Sequence, residues 1–580
     1  MTCLSGLTSA FHLDLLSLDS SIITMAIYAV RRRRSGVNIF YFFALFGLSV
    51  AEEFDRTKCY TTIQNKLESN TSFAMDASVF STNSLGQLMS SLSNPWLKVS
   101  ACNDICGDQM GFYSDTPSRL LTWLIPTIFL VVNMEFAPIG KKRFLMVLHW
   151  FGDPIDSTCS LLSKIESWNR WFYLYRGQDC SSRKANDSNA NIAVVMSAVE
   201  EVIPRADIHV YTEEACSCVG HRVEELYQEA AMNIIKCQTH GTAQTCFNIA
   251  LYIVGIASAF ITQLGGSLNP SGGKLAPAMF LSWLLPVTLI SNVVGQFNSS
   301  SDCLQIILKF KDKVETLRHA DDCSEIRPIR LAWVVHLDNI NWEEHLDSLA
   351  WSGGIYSFRL HNRLPKTKQR HSLGLLMCIS SLPVIISFIT AFGVLYSPPT
   401  YFSCRHLMII FAFFGWLVSP IITWSIARSK FFPNDKARFY GVLVKDAIIG
   451  APTLALLIAS SCGLFNNCYC WSGALTPHHM ATVVLAPTYQ FQLNDHLIYP
   501  VVVSISLFLQ FCVFAWIIWI GRAGLGMMRI SEQERRAALT RAPPATMQEP
   551  QGIALVPAFE TKPTGQVEIS ECWDGSSCIV

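Results

Sequence analysis

Charge is scarce in this sequence. Only 15% of its residues are Asp, Glu, Lys or Arg, and 44 basic side chains balance 44 acidic ones. Without net charge there is no electrostatic reason to expect nucleic acid as a partner. Catalytic signatures are missing as well. No Walker A sequence, zinc-protease motif, nucleophile elbow or dinucleotide fingerprint occurs in a context that would use it. The nearest approximation, Gly265-Gly266 followed by Gly272-Gly273-Lys274, has the wrong spacing for a phosphate loop. These absences speak against an enzyme. They imply no cofactor, no catalytic residues and no metal-ligating set.

Apolar residues are plentiful, making up half of the chain. They gather in seven runs, at 119–139, 246–264, 275–296, 372–396, 406–427, 443–465 and 497–520. Each has about 20 residues, enough for a helix to cross a hydrocarbon core roughly 30 Å thick. Lipid offers backbone N–H and C=O groups no partner, so such runs must be helical. The expected fold is an all-α, polytopic transmembrane helix bundle of about seven spans.

Basic residues fall in alternate gaps between these runs. One set holds Lys141-Lys142-Arg143, Arg359 to Arg370, Arg428 to Arg438, and Arg522 with Arg529. In the other set Lys274 and Arg405 stand alone, and 466–496 has neither Lys nor Arg. Short basic loops are retained in the cytosol, so the amino end is expected outside and the carboxyl end inside. The amino terminus fits that orientation. Arg31 to Arg34 precede an apolar run at 37–50 that ends in Ser49-Val50-Ala51. That pattern describes a signal peptide over 1–51, with Met25 as an alternative start.

Topology then sorts the remaining features. The outer segment, 52–118, reads as a short glycosylated spacer, with Asn70-Thr71-Ser72 as its acceptor. Sequons at Asn186 and Asn298 fall on the cytosolic side and should stay unmodified. Of the 20 cysteines, Cys59, Cys102, Cys106, Cys468 and Cys470 lie outside and are available for disulfides, with Cys404 at the same face. Spacing does not fix their pairing, although Cys102 and Cys106 could staple a turn. The outer loop 466–496 also contains His478, His479, Asp495 and His496, whose spacing matches no defined metal site.

Two long cytosolic loops are expected, at 141–245 and 298–371. The first carries an amphipathic helix over 157–175, capped by Asp156 or Ser157, with Trp168, Trp171 and Phe172 on one face. That face could lie among lipid headgroups or, preferably, against the protein's own bundle. Further helices are expected at 190–202, 212–236 and 306–317. The tail, 521–580, reads as disordered.

Ionisable residues inside the runs are few, and such residues usually mark ion or substrate pathways. Asp446, beside Lys445, sits at the inner edge of the sixth run. Asn292 and Gln296 are polar and uncharged, and are the candidates for lining a cavity. Prolines 126, 286, 383, 420 and 452 should kink the spans.

The tracts Gly152-Asp-Pro-Ile-Asp-Ser157, Phe280-Leu-Ser-Trp-Leu-Leu-Pro286, Trp351-Ser-Gly-Gly-Ile-Tyr356 and Ser461-Cys-Gly-Leu-Phe-Asn466 together resemble a family of large fungal multipass integral membrane proteins without assigned function. The resemblance spans about 120 to 522 and implies a helical membrane protein, with no catalytic residue to transfer. The functional expectation rests on topology alone: a receptor- or sensor-like protein of the secretory pathway, plasma membrane or endomembranes. Its partners would be the bilayer and cytosolic proteins reached through the loops and tail. The alternatives are a transporter or channel for an uncharged or weakly polar solute, and a membrane scaffold.

Overall fold

The computed structural model describes residues 56–69, 79–80, 96–107, 113, 115–132, 134, 141–176, 183–202, 221–236, 238–239, 242–261, 272–294, 296–297, 300–320, 373–396, 402–432, 435–473, 475, 482–485 and 497–528. In chain order the elements are α1 (Arg56–Ser69), β1 (Trp96–Lys98), α2 (Val99–Cys106), α3 (Thr116–Val132), α4 (Lys141–Gly152), α5 (Pro154–Arg176), α6 (Arg183–Val202), α7 (His221–Lys236), β2 (Gln238–Thr239) and α8 (Thr242–Ile261). They continue with α9 (Gly272–Phe280), α10 (Leu284–Val294), β3 (Gln296–Phe297), α11 (Ser300–Ala320), α12 (Leu373–Leu395), α13 (Cys404–Arg428), α14 (Asp435–Cys462), α15 (Cys468–Trp471), β4 (Thr482–Val484) and α16 (Tyr499–Met527).

Six helices among the described residues are long and apolar enough to cross a membrane: α8, α9 continued by α10, α12, α13, α14 and α16. Their outward faces carry large apolar side chains, among them Phe411, Ile421, Ile448, Phe508 and Trp519. Such an apolar girdle is unfavourable in water and ordinary in lipid. Only part of the first apolar run is described. Its helix, α3, has 17 residues and ends at Val132, and Asn133 and 135–140 lie outside the described residues. The third run is broken at 281–283 by a turn between α9 and α10. α9 and α10 are nevertheless the most buried stretch of the six. Trp283 stacks parallel to Trp150 and meets Trp416 edge-on.

The stretch read as the start of a cytosolic loop is instead part of the bundle. α4 lies along α14, and α5 lies along α12 and α16. Trp150 and Ile155 join the same apolar core as Trp283, Trp416 and Leu457. At the crossing of α4 and α14, Gly152 and Gly450 let the two backbones touch: a Cβ on Gly152 would fall 2.6 Å from Cα of Asp446. α5 begins at Pro154 rather than at Ser157. Proline suits the first position of a helix, and Asp153 is its cap, its Oδ1 accepting the Asp156 N–H at 3.0 Å. The Trp-rich face of α5 packs inward, with Trp168 and Trp171 buried against α6, α7, α11 and the end of α16. Asn169 fixes the contact with α16 by donating to the Ile520 carbonyl at 2.8 Å and accepting from Gly524 N–H at 2.7 Å.

The segment before α3 is more than a spacer. α1, α2, β1 and residues 466–485 share a small core of Ile63, Leu67, Phe80, Leu97, Val483 and Leu485. β1 pairs antiparallel with β4, Leu97 opposite Val483. Disulfides join Cys59 to Cys106, Cys102 to Cys468 and Cys404 to Cys470. Cys102 and Cys106 therefore bond to different partners. A segment this polar gains a core only because a loop distant in sequence and the cross-links complete it. Asn70, residues 1–51 expected to form a signal peptide, the tract 351–356 and the tail after Met528 lie outside the described residues.

Candidate functional site

Helical spacing places His149, Asp153 and Asp156 at i, i+4 and i+7, on one face of the almost continuous α4–α5 helix. The Asp153 N–H still donates to the His149 carbonyl across the junction. That face meets α13 and α14 deep in the bundle. Trp416, midway along α13, donates its indole N–H to the Phe151 carbonyl at 2.8 Å, and Ser419 donates to the Gly152 carbonyl at 2.8 Å. All five ionisable residues that gather there, His149, Asp153, Asp156, Lys445 and Asp446, are buried.

They form one chain of contacts. His149 Nδ1 lies 2.7 Å from Asp446 Oδ2, and its Nε2 lies 3.4 Å from Asp156 Oδ2. Asp446 Oδ1 is paired with Lys445 Nζ at 2.7 Å. Lys445 also donates to Asp153 Oδ2, Ser419 Oγ and Thr423 Oγ1, each at 2.7 Å. Thr423 in turn donates to Asp153 Oδ2 at 2.9 Å. The Asp156 N–H donates to Asp153 Oδ1, closing the circuit.

Two features set this chain apart from an ordinary buried ion pair. An imidazole facing a carboxylate at each nitrogen satisfies both only as the imidazolium, which has two N–H donors. Even with His149 and Lys445 both charged, the three aspartates outnumber the bases by one. The surplus rests on Asp156, whose carboxylate receives no hydrogen bond of ordinary length from the described residues. A buried carboxylate so placed is strongly unfavourable unless a proton or cation joins it.

Of the residues singled out from sequence, Asp446 is at the centre of this chain. Asn292 is buried on α10 and is not a member of it. Gln296 lies in β3, paired with Thr239 of β2, and is not among the residues of this chain. The sequence does not mark His149, Asp153 and Asp156 as a site, because they fall between the first two apolar runs, in a stretch that reads as a cytosolic loop. Their i, i+4, i+7 spacing, interleaved with Trp150, Phe151 and Ile155, was the available signal. Cys468 and Cys470 are held in disulfides. His478, His479, Asp495 and His496 lie outside the described residues.

Comparison of the chain with protein-family models, with curated proteins and with solved structures finds no match.

Proposed function

We propose that the protein is a proton-coupled membrane transporter in which Asp156, His149 and Asp446 carry the coupling proton. The observation behind this reading is His149 bridging two carboxylates in the middle of the bundle, where acids outnumber bases by one. Ionisable groups at such depth are costly and are retained where protons or ions pass. A proton on Asp156 neutralises the surplus. Passing it through His149 to Asp446 requires small movements of groups already in contact. Lys445, Ser419 and Thr423 anchor Asp153 and Asp446 and keep the rest of the circuit fixed. This reading replaces an uncharged solute pathway built on Asn292 and Gln296. A receptor has topology alone in its favour.

Seven spans, with the disulfide-linked cap outside and the carboxyl end in the cytosol, complete the proposal. α3 supplies the seventh crossing. The cap's three disulfides support that orientation, because such bonds form and persist in oxidising compartments.

The test is electrical. Full-length protein reconstituted on a solid-supported membrane should give a transient current after a pH jump, as protons enter the buried chain. Asp156→Asn and His149→Gln should each reduce it at least tenfold while the protein remains helical and monodisperse. Absence of a transient in folded wild-type protein, or an unchanged transient in both variants, would sink the proposal.

A further inference from the structure

A second buried cluster, of the opposite sign, sits at the disulfide-bearing end. Arg119, Lys274 and Arg405 are all buried there, with Asp115 beside them. Along α13, Arg405 is about 21–27 Å from Ser419 and Thr423, so the two clusters occupy opposite parts of the bundle. Asp115 is fully used: one carboxylate oxygen accepts from Arg119 Nε at 2.7 Å and the other pairs with Lys274 Nζ at 2.7 Å. Arg405 is left without a carboxylate among the described residues. Its guanidinium donates to the Tyr113 hydroxyl and lies over the rings of Tyr113 and Trp471, 5.6 and 5.5 Å from their centroids. Yet Arg405 is only 8% exposed. Among the described residues, three cations against one anion leave a surplus of two positive charges.

The placement of these cations runs against what helix stability would select. Arg119 lies in the first turn of α3, Lys274 in the first turn of α9 and Arg405 in the first turn of α13. Backbone N–H groups and the helix dipole already make each of these ends positive, so acids belong there and bases are disfavoured. Three helices repeat the same violation at one point in space. Local rules broken together in this way mark a functional site. Gly273 completes the arrangement. A Cβ on Gly273 would collide with Arg405 Nη1 and lie 3.5 Å from Arg119 Nη1, so the missing side chain is what lets the two guanidiniums come together there.

We infer that Arg405, Arg119 and Lys274 form a binding site for an oxyanion, a carboxylate or phosphate group, open toward the disulfide-linked cap. A planar guanidinium offers paired N–H donors that match two oxygens of such a group, and Arg405 has donors to spare. Helix amino termini add backbone N–H groups aimed the same way. Asp115, the most exposed member of the cluster, orders Arg119 and Lys274 and marks the side from which the anion arrives. The inference stands independently of the proton chain.

The experiment uses full-length protein in zwitterionic nanodiscs, with inorganic phosphate or acetate titrated at constant ionic strength against chloride. Phosphate, acetate or both should raise the melting temperature with saturation. Arg405→Gln should abolish the rise, and Lys313→Gln, at an exposed pair on α11, should leave it intact. Should Arg405→Gln fail to fold, Gly273→Ala takes its place; its methyl pushes the Arg405 guanidinium aside and should weaken binding at least tenfold. Nanodiscs doped with phosphatidate separate the two sources of phosphate. A melting point already raised, and then insensitive to inorganic phosphate, identifies a lipid headgroup as occupant; an additive response identifies a soluble anion. No saturable shift with any probe, or equal shifts in wild type and Arg405→Gln, would overturn the inference.

Discussion

Glu200 shows how one side chain can hold two helices. It accepts from Ser167 Oγ at 2.7 Å, from Arg170 Nη2 at 2.7 and 2.9 Å, and from the Trp171 indole N–H. All three donors lie on α5, while Glu200 is at the end of α6. Burial alone would raise its carboxyl above the ordinary range, but the Arg170 charge and these hydrogen bonds outweigh it and hold the carboxyl below that range. The sign follows. A depressed carboxyl contributes stability above its unfolded pKa, about 4.3, and loses it as pH falls through the folded value. Thermal unfolding at pH 7 should therefore show Glu200→Gln well below wild type, with the gap closing progressively in acid. A gap independent of pH would mean that shape, and not charge, holds the contact. Residues of this kind are hard to read from sequence. Asp446 was legible because it interrupts an apolar run. Glu200, His149 and Asp156 gain meaning only from partners far away in the chain.

The contact between α4 and α14 depends on the absence of a side chain. At Gly152 an added methyl would lie 2.6 Å from Cα and 2.8 Å from the carbonyl oxygen of Asp446. Neither backbone atom can swing aside, so the two helices would have to separate. Overpacking of this sort costs about 1–3 kcal/mol, and here it also lengthens the His149–Asp446 contact. Gly152→Ala should lower the melting temperature by several degrees and weaken the pH-jump transient. Gly374→Ala is the control: nothing lies within 4 Å of its Cβ position, and it should melt like wild type. The long apolar helices were legible in sequence because lipid enforces one pattern on every span. α4 was not, since it has 12 residues and opens on Lys141-Lys142-Arg143. Its burial comes from α13 and α14, which shield its ionisable face with Ser419, Thr423 and Lys445. The disulfide-linked cap is not legible in the sequence for a related reason. Its core is assembled from segments more than 360 residues apart, Cys102 and Cys468 among them.

Among the described residues, acidic surplus and basic surplus are kept apart. The chain from Asp156 to Asp153 lies against the later half of α13, at Ser419 and Thr423, while Arg119, Lys274 and Arg405 gather where the disulfides are. In the proposed orientation the basic cluster faces outside, and the oppositely charged chain lies deeper, toward the cytosol. An oxyanion held at the outer site and a proton at the inner one would each cancel a local imbalance, which gives one molecule a physical reason to handle both. The arrangement requires that the cap be outside, and the three sequons decide it. In sequence Asn70 directly follows α1, an element of the cap, whereas Asn186 falls in α6 and Asn298 directly follows β3. Glycan transfer occurs only in the secretory lumen. Endoglycosidase should therefore shift the mass of wild-type protein, and Asn70→Gln alone should remove that shift. A shift that persists in Asn70→Gln and disappears only with Asn186→Gln or Asn298→Gln would reverse the bundle. It would place Arg405 and its neighbours in the cytosol, where the oxyanion would have to arrive from within the cell.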